Sequence, residues 1–361
     1  MRTYDLGNPE LDALVADLVQ RAADHDNADL IREMVVTVLK LYRDDPGRGD
    51  LKLVNTALKE IRYSMLVFSR HEEPKVTIFG SARLPETDPN YILAREFARI
   101  MVDRQWGVVT GAGPGIMEAG NRGAGPEASY GVNIRLPFEA TANGYVASDR
   151  TVNFKYFFTR KLGFVKESHG FALFPGGFGT LDETFELLTL MQTGKSDMHP
   201  IVMLEAAETG YWGPLTSFMN EVLVAKGLIA PEDGSLFSFT NDPREAADIM
   251  CGFYANFHSQ RYVDGVLVLR LRQAPDDVTL ARMTDEYRDI LVEGRIEAIK
   301  PTPAEVRDQD ALDCERVALH FDRRRFARLR RLIDELNTIV TPPETVHPPA
   351  PFGPEQADRS F

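Results

Sequence analysis

Cysteine is scarce in this 361-residue chain, with Cys251 and Cys314 the two present. They lie far apart and in no metal-ligand spacing, which excludes a disulfide framework and leaves two reduced thiols of a cytoplasmic protein as the expectation. Long apolar runs are lacking too. None approaches the roughly 20 residues of a membrane helix, and Arg2, Asp5 and Glu10 occupy the start, where a leader needs an apolar core. The sequence therefore predicts neither a membrane partner nor a signal peptide. Positive charge is in deficit, with 41 Lys and Arg against 54 Asp and Glu and a net charge of −13. That balance argues against a nucleic-acid partner held by phosphate neutralisation. Histidines 25, 71, 169, 199, 258, 320 and 347 form no i, i+4 pair, so no metal site is expected. No Gly-x-Ser-x-Gly elbow occurs, which removes the commonest hydrolase nucleophile arrangement.

What is present is a globular composition, 43% apolar and 26% charged. Residues 1–73 read as a helical extension. Leu11, Leu14, Val15 and Leu18 recur at helical spacing, as do Ile31, Met34, Val35, Val38 and Leu39, and a third run covers Leu51 to Phe68. A polar loop at Asp44–Asp50 separates the last two.

Over residues 74–258 short apolar runs alternate with amphipathic ones. Strands are predicted at Val76–Phe79, Gly107–Thr110, Tyr130–Leu136, Gly170–Phe174, Pro200–Leu204 and Leu236–Phe239. Helices are predicted at Asn90–Asp103, Ile116–Arg122, Tyr156–Lys166, after Thr180, at Pro214–Ala225 and at Arg244–Tyr254. This alternation predicts an α/β fold with a doubly wound, Rossmann-like parallel sheet. Residues 259–340 read as a βαββα module. Its strands are expected at Val266–Leu271, Arg295–Lys300 and Arg316–Phe321, and its helices at Val278–Val292 and Arg324–Leu336. The Pro-rich tail 341–361 is expected not to pack.

Three Gly-rich turns follow predicted strands: Gly80-Ser81-Ala82-Arg83, Gly111-Ala112-Gly113-Pro114-Gly115 and Pro175-Gly176-Gly177-Phe178-Gly179-Thr180. Each sits at the carboxyl end of its strand, where such sheets bind ligands. A Gly-rich turn feeding a helix brings bare N–H groups to the positive end of the helix dipole, an anion site. The dinucleotide fingerprint fails, since the sixth position from Gly111 is Ile116, so no nicotinamide or flavin is expected. Gly194-Lys195-Ser196 imitates the end of a P-loop, but Thr189 stands where the first glycine belongs, and the triplet closes a helix; it reads as a C-terminal turn.

Thr180 and Glu183 have the spacing of a capping box. That accounts for the pair but not for Gly176, Gly177 and Gly179, and it leaves Glu183 able to face the same cleft. Arg160 and Lys161 read either as a solvated basic pair or as an anion clamp. Glu118 reads as a helix-dipole partner, a base or a ribose contact.

Taken together, Pro175-Gly-Gly-Phe-Gly-Thr-Leu-Asp-Glu183, Arg160-Lys161, Phe79–Arg83 and Gly111–Glu118 resemble the signatures of the LONELY GUY (LOG) family over about residues 74–255. The resemblance implies a nucleoside 5′-monophosphate phosphoribohydrolase, which releases a free base and ribose 5-phosphate. The substrate expected is a purine nucleotide such as AMP, or a cytokinin nucleotide. The alternative is a non-catalytic nucleotide-binding regulator on the same fold. By the same resemblance Arg160 and Glu183 would be the catalytic pair, with Arg160 keeping Glu183 ionised. Gly176, Gly177, Gly179, Thr180 and Ser81 would hold the phosphate. Gly113, Gly115, Glu118, Tyr156 and Lys161 would line the ribose and base pocket, with Phe164 a second base-pocket candidate. No metal or cofactor is implied, nothing suggests a pyridoxal phosphate site despite the family's older naming as lysine decarboxylases, and a homodimer or larger homo-oligomer is expected. The terminal extensions depart from the short family members and tilt the reading toward a broader or regulated enzyme.

Overall fold

The computed structural model describes residues 4–22, 27–135, 143–207, 209–341, 345, 346, 348 and 349. The chain divides into two compact units, Met1–Lys59 and Glu60–Phe361. In the first, α1 (Pro9–Ala22) and α2 (Ala28–Arg43) pack through buried Val15, Val19 and Val36, the first two one helical turn apart on one stripe. A third helix, α3 (Arg48–Phe68), begins in that unit and continues into the second. The three expected helical runs are all present.

The second unit is built on a seven-stranded parallel sheet. Its strands are β1 (Lys75–Phe79), β2 (Gly107–Thr110), β3 (Ser129–Ile134), β4 (Thr151–Phe154), β5 (Gly170–Leu173), β6 (Ile201–Leu204) and β7 (Ser238–Thr240), in the order β4-β3-β2-β1-β5-β6-β7. Val76, Ile78, Val108, Val109, Ala172, Leu173, Ile201 and Val202 are fully buried, because helices cover both faces. Those helices are α4 (Pro89–Asp103), α5 (Ile116–Ala124), α6 (Phe157–Glu167), α7 (Phe178–Gln192), α8 (Trp212–Phe218) and α9 (Pro243–Gly252). The doubly wound α/β expectation holds. Strand order reverses between β1 and β5, and the crevice such a reversal opens lies at the strands' carboxyl ends.

Some boundaries differ from the sequence reading. Strand β4 was not expected. The helix expected over Pro214–Ala225 is α8 followed by a π-helical turn, Met219–Val224. A 3₁₀ turn at Pro231–Leu236 displaces the strand expected from Leu236 to Ser238–Thr240. Leu136, expected to end β3, lies outside the described residues. At Gly194 the expected C-terminal turn is present: φ is +66°, and the Lys195 N–H donates to Leu190 O at 2.8 Å.

The C-terminal part forms a four-stranded antiparallel sheet. Its strands are β8 (Phe257–Val263), β9 (Val266–Leu271), β10 (Glu297–Ala298) and β11 (Glu315–Leu319), ordered β10-β11-β9-β8. Strand β8 was missed, although Asp264-Gly265 marks the hairpin. Both residues have positive φ, 50° and 89°, as a two-residue primed turn demands. Three helices accompany this sheet: α10 (Asp277–Glu286), α11 (Pro303–Asp308) and α12 (Phe326–Asn337). The helix expected to reach Val292 ends at Glu286, and the strand expected over Arg295–Lys300 shrinks to β10. Within the tail, packing occurs at two described residues against expectation: Val346 is 2% exposed, and Pro349 O meets His169 Nε2 at 2.9 Å. Among the described residues no helix is long and apolar enough to cross a membrane.

Candidate active site

The three Gly-rich turns converge at the strand-order reversal. The Ser81 N–H donates to Pro175 O at 3.0 Å, and the Ile116 N–H donates to Ser81 O at 3.0 Å. Gly115 makes this approach possible. Its φ is +67°, and a Cβ there would collide with the Ser81 carbonyl. A Cβ on Gly176 would likewise strike the Thr180 hydroxyl and come within 3.0 Å of Ser81 N. The Gly113 carbonyl is fixed from outside the motif by Asn143 Nδ2 at 3.0 Å.

Helix α7 begins earlier than the sequence suggested. Gly177, in extended conformation (φ −93°, ψ −155°), is its N-cap, and no side chain caps it. The first intrahelical bond runs from the Leu181 N–H to Gly177 O at 3.1 Å, so the N–H groups of Phe178, Gly179 and Thr180 point out of the helix end. The expected capping box is therefore absent: Thr180 is the third helical residue and Glu183 lies further inside. Nothing lies within 4 Å of where a Cβ would stand on Gly177 or Gly179. Open space, outward N–H groups and a helix dipole are the features that an anion site requires. Ser81 Oγ accepts from the Arg83 N–H at 3.1 Å, which leaves its own proton to donate.

Glu183 is 8% exposed, and burial pushes its carboxyl from the ordinary 4.5 up to about 7. Lys161 opposes the shift from 3.5 Å and Arg160 opposes it more weakly, while Glu186 and Asp182 reinforce it. The expectation that Arg160 keeps this carboxylate ionised is thus corrected: desolvation outweighs both cations, and the nearer one is Lys161. Arg160 turns toward the sheet instead. Its Nε donates to Val132 O at 2.8 Å, its guanidinium lies over the Phe164 ring at 5.2 Å, and a Cβ on Gly111 would collide with it.

Lys161, assigned from sequence to the ribose and base pocket, bonds instead to Glu186 at 2.6 Å and Asp182 at 2.9 Å. Burial works against its charge, yet these bonds hold its ammonium above its ordinary range. Phe164 is 1% exposed and packs edge-on against Phe79. Tyr156 is the N-cap of α6 and stacks on Phe158, ring centroids 5.5 Å apart. Glu118 accepts from Tyr91 Oη at 3.4 Å, on the side of the cleft where α4 and α5 pack.

Two supports carried no local signal. The Tyr211 hydroxyl, just before α8, donates to Gly176 O at 2.6 Å and so ties the glycine turn to a segment beyond β6. Glu60 accepts from the Lys155 N–H and the Thr159 hydroxyl, each at 2.7 Å, and so fixes the start of the helix bearing Arg160 and Lys161. No sequence pattern links either residue to the motif it serves. Among the described residues no cluster of His, Cys, Asp or Glu could hold a metal ion.

Fold and site together define an α/β protein with an open, glycine-rich helix N-terminus at the strand-order reversal and a buried carboxyl group on that same helix. Residues 111–250 match the family model described as possible lysine decarboxylase. The bifunctional cytokinin biosynthesis protein of Fusarium pseudograminearum is 27% identical over 265 residues, 66% of this chain and 52% of that protein. Cytokinin riboside 5′-monophosphate phosphoribohydrolase LOG1 of Arabidopsis thaliana is 39% identical over 72 residues, 20% of this chain and 32% of that protein. Among solved structures, the molybdenum cofactor carrier protein of Chlamydomonas reinhardtii matches at 19% identity and a TM-score of 0.33, over 48% of this chain and 94% of its own. Within its α/β domain the chain is thus similar, over part of its length, to the possible lysine decarboxylase model and to the LOG1 phosphoribohydrolase. The matches span about half the length of the Fusarium protein and about a third of the Arabidopsis one.

Proposed function

We propose that this protein hydrolyses the N-glycosidic bond of nucleoside 5′-monophosphates, releasing the free base and ribose 5-phosphate. One observation carries the reading: the anion cradle and Glu183 share helix α7, with Glu183 five residues beyond Phe178. At 1.5 Å rise per residue that is ~7.5 Å, on the scale of one ribose. A 5′-phosphate held by the N–H groups of Phe178, Gly179 and Thr180, with the Ser81 hydroxyl donating, would bring the sugar alongside the carboxyl group. Gly176 and Gly177 supply the close backbone approach.

The chemistry follows from charge. As the C1′–N bond breaks, its electron pair leaves with the base, which takes up a proton, and positive charge grows on the ribose. An ionised Glu183 stabilises that charge, accepts a proton from the water whose oxygen bonds to C1′, and passes it on to the departing base. A carboxyl titrating at about 7 is matched to this exchange near neutral pH. The phosphate, remote from the breaking bond, contributes binding energy that positions the sugar. Arg160, against the Gly111 turn, would meet the ribose or base, with Tyr156, Gly113, Gly115 and Glu118 around it. The lysine decarboxylase description implies pyridoxal phosphate, which these residues do not fit: Lys161 is held as an ammonium by carboxylates, the opposite of what a Schiff base needs.

The substrates proposed are purine nucleotides, AMP foremost, or cytokinin nucleotides, the compounds named for the Arabidopsis relative. At least a homodimer is also proposed, supported by Phe157 and Phe158, each 52% exposed, and Phe178, 94% exposed, all on α6 and α7 beside the cleft. The test is incubation with AMP, GMP, CMP, IMP and isopentenyladenosine 5′-monophosphate, followed by chromatography for free base. The expected result is base release from at least one, lost in Glu183→Ala. No release from any, or undiminished release by that variant, overturns the assignment.

A further inference from the structure

Four charged groups on two helices meet beside the cleft: Lys161 from α6, and Asp182, Glu183 and Glu186 from α7. Arg160 is the other charged group facing Glu183 from α6. One ammonium thus faces three carboxylates, and the geometry decides which of them it holds. Lys161 Nζ is 2.6 Å from Glu186 and 2.9 Å from Asp182, but 3.5 Å from Glu183, beyond a good hydrogen bond. Side-chain exposure runs the same way, 62% for Asp182 and 32% for Glu186 against 11% for Glu183. The two exposed carboxylates hold the cation and keep water. The third is buried and less firmly paired.

We propose that Lys161 is a positioning residue: anchored by Asp182 and Glu186, its ammonium keeps Glu183 as the one carboxyl of the cluster that exchanges a proton with the reacting nucleotide and its water. This deepens the nucleotide-cleavage reading and rests on it for the word "reacting". The proton arrangement itself stands apart from that reading. Without Lys161, Glu183 would face two uncompensated carboxylates in a buried site and hold its proton through neutral pH. With Lys161 bonded directly to it, Glu183 would stay ionised and return no proton. The observed spacing lies between these extremes. It also gives Glu186 an influence of opposite sign, since its negative charge both raises the Glu183 carboxyl and draws the ammonium away.

The test uses the full-length protein and two readouts. The first is the titration of Glu183, followed by carboxyl ¹³C NMR on glutamate-labelled protein and assigned by its loss in Glu183→Gln. Lys161→Met should move the midpoint up by at least one pH unit, a tenfold change in ionised fraction. Glu186→Gln should move it down, and Lys161→Arg should restore it to near the native position. The second readout is base release against pH, where the acid limb of kcat should follow the same order with KM changed less than threefold. An unmoved midpoint in Lys161→Met that folds as judged by circular dichroism overturns the proposal. So does a tenfold rise in KM with the acid limb in place, which would make Lys161 a substrate ligand. If Lys161→Met fails to fold, Glu186→Gln alone decides, and a midpoint that stays or rises counts against the proposal. A protein that titrates as expected but cleaves no nucleotide refutes the proposed function and leaves the arrangement of the four charges intact.

Discussion

The backbone N–H of Ser81 donates to the carbonyl oxygen of Pro175 at 3.0 Å, and this bond crosses the point where strand order reverses. It joins the turn after β1 to the turn after β5, while Ile116 joins the same serine to the turn after β2. The cleft therefore depends on backbone packed closely against backbone, and its tolerance of added atoms differs sharply from one glycine to the next.

Gly115→Ala should destabilise the protein. The left-handed φ of +67° costs an alanine about 1–3 kcal/mol, and the collision with the Ser81 carbonyl adds to it. Thermal unfolding checks this; an unchanged Tm would mean that the two turns do not press together as described.

Gly177→Ala and Gly179→Ala should behave in the opposite way. Both positions have negative or helical backbone and empty space for a methyl group, so Tm should hold or rise slightly. The methyl groups would occupy the space in front of the outward N–H groups, and KM for a nucleotide should rise about tenfold, roughly 1.4 kcal/mol of lost binding. Steady-state kinetics beside a melting curve separates the two effects.

Glu183→Gln should abolish base release while stabilising the fold at alkaline pH. The loss expected for a proton-transfer group is roughly 10²–10⁴-fold in kcat. The sign of the stability effect follows from the raised carboxyl. Between 4.5 and about 7 the folded state binds more protons than the unfolded one, so native stability declines as pH rises through that window. The glutamine variant lacks that decline. Denaturant melts should show it to be more stable than the native protein at pH 8, with the difference vanishing near pH 4.5.

Truncation after Thr341 should lower stability. It removes Val346 from a site where it is 2% exposed, worth about 1.5–3 kcal/mol, and takes Pro349 O from His169. His169 Nδ1 accepts the Lys75 N–H, so Nε2 carries the proton and donates to Pro349; burial holds this imidazole down at about 3, and it stays neutral across ordinary pH. The expected loss is therefore flat from pH 6 to 8, which melts at both pH values would check.

The parallel strands at the middle of the sheet were readable because they are covered on both faces: β5 and β6 show as unbroken apolar runs, and β1 and β2 as mostly apolar ones broken by Lys75, Thr77 and Thr110. The strands missed or misplaced, β4, β7, β8 and β10, all lie at sheet edges. Thr151-Val-Asn-Phe154 has one solvent-facing residue, and Phe257–Val263 mixes His, Ser, Gln and Arg with its apolar positions. Edge strands need no apolar run, so periodicity alone does not find them. The glycine turn at Pro175–Thr180 was legible because one short segment holds both the turn and its helix. Tyr211 and Glu60 were not, since each supports the site across a long stretch of chain.

By itself the sequence determined that three Gly-rich turns gather at the carboxyl ends of parallel strands, and that a glutamate follows the third. Which cation reaches that glutamate was decided by tertiary structure. Arg160 and Lys161 are neighbours in sequence, and consecutive residues on an α-helix point about 100° apart, so they approach that glutamate differently, and it is Lys161 that comes to 3.5 Å. Docking of α6 turned Arg160 toward Val132 and the Gly111 turn, and Lys161 toward the carboxylates of α7. The charge on Glu183 followed from that docking and from its burial, neither of which is written in any local pattern of residues.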